Sequence, residues 1–207
     1  MAENPAIAHS PIRAEGPVAV RAGWEVSTLR SYSALRLADD SALAKVSVRA
    51  SPRGRVATRI GVPFGSAARD DRGTLVIGSG PGEWFLLGDI GTAVEIADRL
   101  DRDDDGLVSV VDITHGRALM RLSGAAAADL LSKVCAVDLA ERMTPNGSAF
   151  RSSVAKLTTD VIRDDVGTTP SYVLHCERSS GQYLFDALLD AGAELGIGRD
   201  GSDPSEL

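Results

Sequence analysis

The chain has 207 residues, 43% of them apolar and 25% charged, and a formal charge of −7, which describes a globular protein of one domain or one two-lobed unit. That acidity excludes a general binder of nucleic acid, and no apolar run reaches the 18 residues of a membrane-crossing helix. Three histidines and two cysteines leave little for a zinc site or a disulfide framework, and two Trp, three Tyr and four Phe offer few rings to stack on a base or a flavin.

Residues 1–17 hold three prolines and no apolar core. They are expected to form a flexible arm, either loose or ordering on a partner subunit. They lack the basic start and apolar stretch of an export signal, which places the chain in the cytoplasm with Cys135 and Cys176 as reduced thiols. Val46 and Val48 alternate with Ser47 and Arg49, as in a strand. Arg53, Val56, Ala57 and Ile60 then recur at helical spacing, with Gly61 as a stop. The apolar runs 75–78 and 84–87, joined by the glycine-rich turn through Gly80, Pro81 and Gly82, predict a hairpin. A second helix over 92–100 starts with Thr92 and Glu95 at capping-box spacing.

The run 107–111 reads as a strand, and Ala118, Met120 and Leu122 alternate with Leu119 and Arg121 in the next. Ser123 is positioned to cap a helix that buries Ala127, Leu130, Leu131 and Val134. Two more strands fall over 153–162 and 172–176. Ser179 or Ser180 then caps a helix with Leu184, Ala187, Leu188 and Ala191 on one face. The polar stretch 197–207 reads as a flexible tail. Hairpin-like strand pairs mixed with helices indicate an α+β fold of layered, antiparallel-rich sheets with packed helices. The body spans 18–196, and the acidic run near 101–106 is either a hinge between two lobes or a solvated turn.

An internal echo supports two lobes. Residues 39–51 and 112–124 both run Asp, a hydroxyl residue two positions on, an alternating strand and a small-residue turn, with a one-residue slip after the middle.

Motifs with chemical content are few. Asp101, Asp103, Asp105, Gly106, Val108 and Asp112 follow the spacing of an EF-hand calcium loop. The segment after Asp112 alternates like a strand where an exiting helix belongs, so a solvated acidic turn is the competing reading. Asp112, Thr114 and His115 lie on one strand edge and cannot converge as a triad. Gly78, Gly80 and Gly82 sit between two strands rather than before a helix N-terminus, and Pro81 removes a donor, so a phosphate cradle is disfavoured. Trp84 is expected to anchor the core, with Glu83 beside it free to pair with an arginine. Cys135 falls at the end of a helix rather than at a helix N-terminus, and reads as a small buried residue. No nucleophile, base and oxyanion site assemble.

Four segments taken together resemble the gamma subunit of heterotetrameric sarcosine oxidase: GPGEWFLL (80–87), VVDITHGRALMRLSG (110–124), LLSKVCAVDL (130–139) and CERSSGQYLFDALLDAGAELG (176–196). The resemblance rests on Gly80, Pro81, Glu83 and Trp84; on Asp112, Thr114 and Arg117; on Cys135, Asp138 and Leu139, with Ala136 where proline is common; and on Arg178 and Ser179. It covers roughly residues 35–196. The stretch LADDSALAKVSVRAS, ending at Ser51, is also similar to the opening motif of the glycine-cleavage T proteins, folate-dependent aminomethyltransferases that are longer than this chain.

Both likenesses imply a folate-binding-type α+β fold. The first implies a non-catalytic subunit of a complex that demethylates sarcosine to glycine, with formation of hydrogen peroxide and transfer of the one-carbon unit to tetrahydrofolate. FAD, FMN, NAD, tetrahydrofolate and zinc would then belong to the alpha, beta and delta partner subunits, and none to this chain. Glu83, Arg117 and Arg178 are the expected partner-facing residues, with an ion pair inside the subunit as the alternative. The competing functions are an independent folate-dependent aminomethyltransferase-like protein and a calcium-binding module.

Overall fold

The computed structural model describes residues 6–100 and 106–201. A hairpin of β1 (Val18–Arg21) and β2 (Trp24–Ser27) precedes the body. There β3 (Arg36–Asp39), β4 (Ala44–Arg49), α1 (Arg55–Ile60), β5 (Ala67–Arg69), β6 (Leu75–Gly80), β7 (Glu83–Gly88) and α2 (Ala93–Asp98) make a first half. The second half is β8 (Ser109–Asp112), β9 (Arg117–Ser123), α3 (Ala127–Val134), β10 (Ala149–Val154), β11 (Leu157–Arg163), β12 (Ser171–Glu177) and α4 (Gly181–Gly192), followed by β13 (Gly198–Asp200).

The body strands form two sheets, in the orders β5-β6-β7-β4-β8 and β10-β11-β12-β9-β3-β13. Position for position the second half repeats the first, and each half's opening strand is exchanged. β3 pairs with β9 and β8 pairs with β4, both antiparallel. The internal echo is this duplication. Asp39 accepts the N–H of Ser41 at 3.0 Å and Asp112 that of Thr114 at 2.8 Å, so the same Asx turn joins β3 to β4 and β8 to β9. The register is the same in both halves, with Asp39 facing Met120 and Asp112 facing Val46, and the one-residue slip is taken up between Asp112 and β9, where Thr114–Gly116 form a 3-10 turn.

Strand alternation explains the layering. One face of β9 and β12 carries Ala118, Met120, Leu122, Tyr172, Leu174 and Cys176, packed with Leu130, Leu131, Leu184 and Leu188 of α3 and α4. In the other sheet Val46, Val48, Val76, Trp84 and Leu86 meet Val56 and Ile96 of α1 and α2. The opposite faces meet each other through Leu43, Leu75, Ile77, Leu87, Leu119, Ile162 and Val173. The result is four layers, helix–sheet–sheet–helix, and a seam closes one side where Ser66 bridges Ser148 and Ala67 donates its N–H to the Gly147 carbonyl at 2.7 Å.

Three local expectations are corrected. Ser123 ends β9, and Ala126 precedes α3 instead. Arg178–Ser180 form a separate 3-10 turn, so neither Ser179 nor Ser180 caps α4 with its side chain. Thr92 turns its hydroxyl back to the Asp89 carbonyl rather than onto α2. At α3 and α4 a tight turn already takes the first N–H, that of Ala127 bonding the Gly124 carbonyl at 3.0 Å and that of Gly181 the Arg178 carbonyl.

The described part of the arm and tail is folded in. Ile12 is 2% exposed within the second-half core, Ala8 pairs with Trp24, and Gln182 accepts the Arg13 N–H at 2.7 Å. β13 lies parallel to β3. Five residues of the calcium-like loop, 101–105, lie outside the described residues.

Candidate functional site

The sequence-derived candidates occupy four places rather than one. Gly80, Pro81, Glu83 and Trp84 form the β6–β7 hairpin. Pro81 and Gly82, the latter at φ +75°, are the residue pair that a type II turn selects. A Cβ on Gly82 would lie 2.3 Å from the Ala50 carbonyl oxygen, so the turn packs directly on the end of β4. Trp84 is buried and donates its indole N–H to the Val62 carbonyl at 2.8 Å, the core anchor expected of it. Glu83 pairs with Arg49 at 3.3 Å.

Asp112 serves the Asx turn, and Thr114 accepts the Lys45 N–H at 3.0 Å. His115 stacks on Trp24 with ring centroids 4.6 Å apart. Cys135 is buried beside Val154. Asp138 accepts the Ala140 N–H at 3.0 Å, and its carbonyl takes the Thr144 hydroxyl at 2.8 Å. Arg178 donates to the carbonyls of His9 at 2.8 Å and His115 at 3.5 Å. Ser179 is exposed.

Arg117 alone among them enters a larger constellation, between the sheets. Its Nε donates to Nε2 of His175 at 3.3 Å, its Nη2 to Asp160 at 3.3 Å and its Nη1 to Glu177. Nδ1 of His175 lies 3.3 Å from Oδ2 of Asp160, and Arg151 reaches Asp160 at 2.8 Å. Phe85 of the facing sheet meets the His175 ring edge-on, at 4.8 Å.

Burial drives the His175 pKa down to about 4, against the Asp160 hydrogen bond and with the Arg117 charge. The ring is therefore neutral at pH 7, with Nδ1–H donating to Asp160 and Nε2 accepting from Arg117. Burial works to raise the Asp160 pKa, but hydrogen bonds from His175 and Arg151 prevail and hold it below its ordinary value. An Asp–His pair whose free nitrogen is already occupied by a guanidinium has no lone pair to offer as a base.

Two further groups face this layer. Lys45 is buried, and its Nζ donates to the carbonyls of Ser41 and Leu43 at 2.7 and 2.8 Å. Burial lowers its pKa to about 7, with Asp39 opposing, and two acceptors match the two N–H bonds of a neutral amine. Arg121, 3% exposed, donates to Asp164 at 2.9 Å and to Ser171 at 2.9 Å. Arg69 of the other sheet reaches the same Asp164 at 2.6 Å, so one carboxylate joins both sheets.

Sequence reasoning missed His175, Asp160, Arg151 and Lys45 as a group. The available signal was charge at strictly alternating strand positions, which reads as a solvent face until a second sheet covers it.

Cavities lie elsewhere. Beside Asp160 and Arg151 the free volume is about 10 Å³. The largest cavity described, about 350 Å³, lies against α2 and is lined by Arg72, Thr74, Asp89, Thr92, Glu95 and Arg99. Arg72 pairs there with Glu95, and Arg99 with Asp70. Two carboxylates line the cavity beside two guanidinium groups that are each already paired, which does not make an anion site. Among the described residues no three His, Cys, Asp or Glu side chains gather as metal ligands, and no helix is long and apolar enough to cross a membrane.

The fold is thus a duplicated, strand-exchanged α+β unit whose inter-sheet polar layer is bonded largely within the six-stranded sheet and reaches the other sheet through the Arg69–Asp164 pair. Residues 74–204, more than half of the chain, match the GCVT N-terminal domain, and the chain belongs to that family. The folate-binding-type α+β fold expected from the sequence is therefore the one found.

Among solved structures, a heterotetrameric sarcosine oxidase from Corynebacterium sp. U-96, in complex with pyrrole 2-carboxylate, matches with TM-score 0.67 and 26% identity over 79% of this chain and 86% of that one. The glycine cleavage system aminomethyltransferase T from Bartonella henselae matches with TM-score 0.71 and 13% identity over 95% of this chain. This chain spans 60% of that protein's length. No curated protein matches it.

Proposed function

We propose that this chain is a non-catalytic, gamma-type subunit of a heterotetrameric sarcosine oxidase that oxidatively demethylates sarcosine in the cytoplasm. The observation that carries the reading is the likeness to a chain of such an enzyme across 86% of that chain's length, joined to the four ordered segments around Trp84, Arg117, Cys135 and Arg178. In this reading FAD, FMN, NAD, tetrahydrofolate and zinc sit in the alpha, beta and delta subunits, which are the partners. The chain's buried ionic layer stiffens the subunit. Arg178, which holds the carbonyls of His9 and His115, keeps the N-terminal segment against the body at a partner-facing corner, and Glu83 presents its half-exposed carboxylate on the β6–β7 hairpin.

Co-expression with the flavin-bearing subunits of a heterotetrameric sarcosine oxidase tests this. The expected result is a yellow complex of defined stoichiometry in which the chain is retained through size exclusion. A monodisperse chain that never joins the flavoprotein overturns it.

The family match and the fold shared with aminomethyltransferase T favour a second reading, an independent folate-dependent aminomethyltransferase-like protein. Calorimetric titration of the isolated chain with tetrahydrofolate decides between them. Saturable heat supports the second reading, and a flat titration removes it.

A further inference from the structure

The chain holds two asparagines, Asn4 and Asn146. Asn4 precedes Pro5, whose nitrogen carries no hydrogen, and Asn146 precedes Gly147. An asparagine followed by glycine is open to attack by its own main chain, because no Cβ shields the next backbone nitrogen. That nitrogen bonds to the side-chain carbonyl carbon, the amide nitrogen leaves as ammonia with the displaced proton, and a five-membered succinimide closes. Water then opens the ring at either carbonyl, giving aspartate or isoaspartate.

Asn146 sits where the two sheets are joined. Residues 145–148 form a turn closed by the Ser148 N–H on the Pro145 carbonyl at 3.0 Å. Gly147 takes φ +86° at its third position, where type II turns place glycine. The Gly147 carbonyl accepts the Ala67 N–H at 2.7 Å, and a Cβ on Gly147 would lie 3.0 Å from the Ala67 carbonyl oxygen. The turn and β5 therefore meet backbone to backbone.

Water reaches this turn, since Pro145 and Asn146 are exposed. Bonding, not burial, holds the reaction off, and one residue is behind both restraints. The attacking nitrogen, that of Gly147, donates its N–H to the Arg163 carbonyl at 2.9 Å. The Asn146 amide oxygen accepts the Asp165 N–H at 3.0 Å. Asp165 is in turn fixed by the Arg163 guanidinium, through Nε and Nη2 at 3.1 Å each, while Nη1 donates to the Thr144 carbonyl at 2.7 Å. Ring closure requires the nitrogen to leave Arg163 and the amide to turn away from Asp165.

We propose that Asn146–Gly147 is a latent succinimide-forming site, shut by Arg163 while the seam is closed, whose conversion releases β5 from the turn that leads into β10. Isoaspartate adds a methylene to the main chain, and the turn cannot then keep Gly147 in register with Ala67. Either product also sets a new carboxylate beside a cavity of about 310 Å³ that residue 146 lines with Asp164 and Asp165. The guanidinium groups there, those of Arg69 and Arg163, are already paired. Because the step is not reversed, the modified fraction records how long the seam has been open. The inference holds whichever complex the chain enters.

The test is incubation of the full chain at neutral pH, folded and in guanidinium chloride, followed by tryptic peptide mapping. The fragment 143–151 carries Asn146 as its one side-chain amide, so its change in mass reads the reaction directly. Conversion is expected in both samples and at least about tenfold slower in the folded one, since only the open fraction reacts. Arg163→Gln should raise the folded rate at least about tenfold and leave the unfolded rate unchanged. If that variant does not fold, Arg69→Gln, which frees β5 from Asp164 at an exposed position, should raise it in the same direction. Chain aged to isoaspartate should exchange its Ala67 amide faster than fresh chain, and Asn146→Gln, which would have to close a larger ring, should age without that change.

No conversion in the unfolded chain, or equal rates folded and unfolded, overturns the proposal. So does a folded rate that the folded variant leaves unmoved, or an aged chain whose Ala67 amide stays protected. None of these readouts requires a flavoprotein or a folate, so they stand apart from the subunit assignment.

Discussion

Residues 36–98 and 109–192 run through one series of elements twice, yet they spend their buried positions differently. Facing the inter-sheet layer, the first half sets Lys45 on its central strand opposite Leu87. The second sets Leu119 on its central strand opposite His175. Each half thus buries one nitrogen base and one leucine, with the two exchanged between neighbouring strands. Their surroundings differ as well. Lys45 is held by backbone carbonyls, whereas His175 sits in a net of Arg117, Asp160 and Arg151. The topology specifies where a side chain points, and the choice of apolar or ionic contact is then local, provided every donor finds an acceptor.

The sharpest way to break the equivalence is to cut the carboxylate shared by both sheets. Asp164→Ala leaves Arg121 and Arg69 without it, and a buried pair broken on one side costs about 3–5 kcal/mol. Urea denaturation followed by circular dichroism should show that loss. A midpoint shift worth less than 1 kcal/mol would mean that the layer is not what joins the sheets.

Next comes the matched pair Leu37 and Val110. Leu37 is fully buried beneath β13 and Val110 only partly covered. Leu37→Ala should cost about 2–5 kcal/mol and Val110→Ala about 1 kcal/mol or less. Equal costs would show that β8 is covered as well as β3 is.

The buried bases separate by pH. The folded-state pKa of His175 lies below its ordinary value, so the unfolded chain takes up the proton first. Stability falls as the pH drops from about 6.5 towards 4. The loss is on the order of 2 kcal/mol by pH 5, and His175→Gln should flatten that slope. Lys45, also depressed, has the unfolded chain holding the extra proton between about 7 and 10.5, so stability rises with pH across that window. Lys45→Met should remove the rise. Melting temperatures measured across both ranges test the two together, and a His175→Gln profile that keeps the acid slope would move its origin to other groups.

Smallest is the repeated turn. Asp39→Ala and Asp112→Ala each remove one side-chain bond to a backbone N–H, at about 1 kcal/mol. The larger loss is expected at Asp39, which is the more buried of the two.

Much of this fold was legible. The alternation of Ala118, Met120 and Leu122, the spacing of Leu130 and Leu131, and the hairpin around Pro81 each stated their element, because one face of each meets a helix. The matching Asx turns at Asp39 and Asp112 even exposed the duplication. The exchange of β3 and β8 was hidden, since a strand's sequence states its buried face but not which neighbour it pairs with.

Ile12 escaped notice for a related reason. A single isoleucine among prolines has no periodicity, although it completes the core beside Leu184. The ionic layer was unreadable residue by residue, because Arg117, Asp160 and His175 are 58 and 15 positions apart along their pairings and only the closed sheets bring them together. Of the residues marked in advance, Arg117 is inside that layer, and Trp84 and Cys135 are packed in the cores.

The exchanged strands bind the fate of each half to the other. β9 counts β3 among its neighbours and β4 counts β8, so a fragment ending after α2 would lose β8, and one starting at β8 would lose β3 from between β9 and β13. Neither fragment is a folding unit, and the chain should melt in a single transition with no half-folded plateau. Pairing Arg36 with Ser123 also closes a long loop before the six-stranded sheet exists, a topology that folds slowly for its size. A duplicated architecture that looks divisible into two domains is, mechanically, a single knot of reciprocal loans.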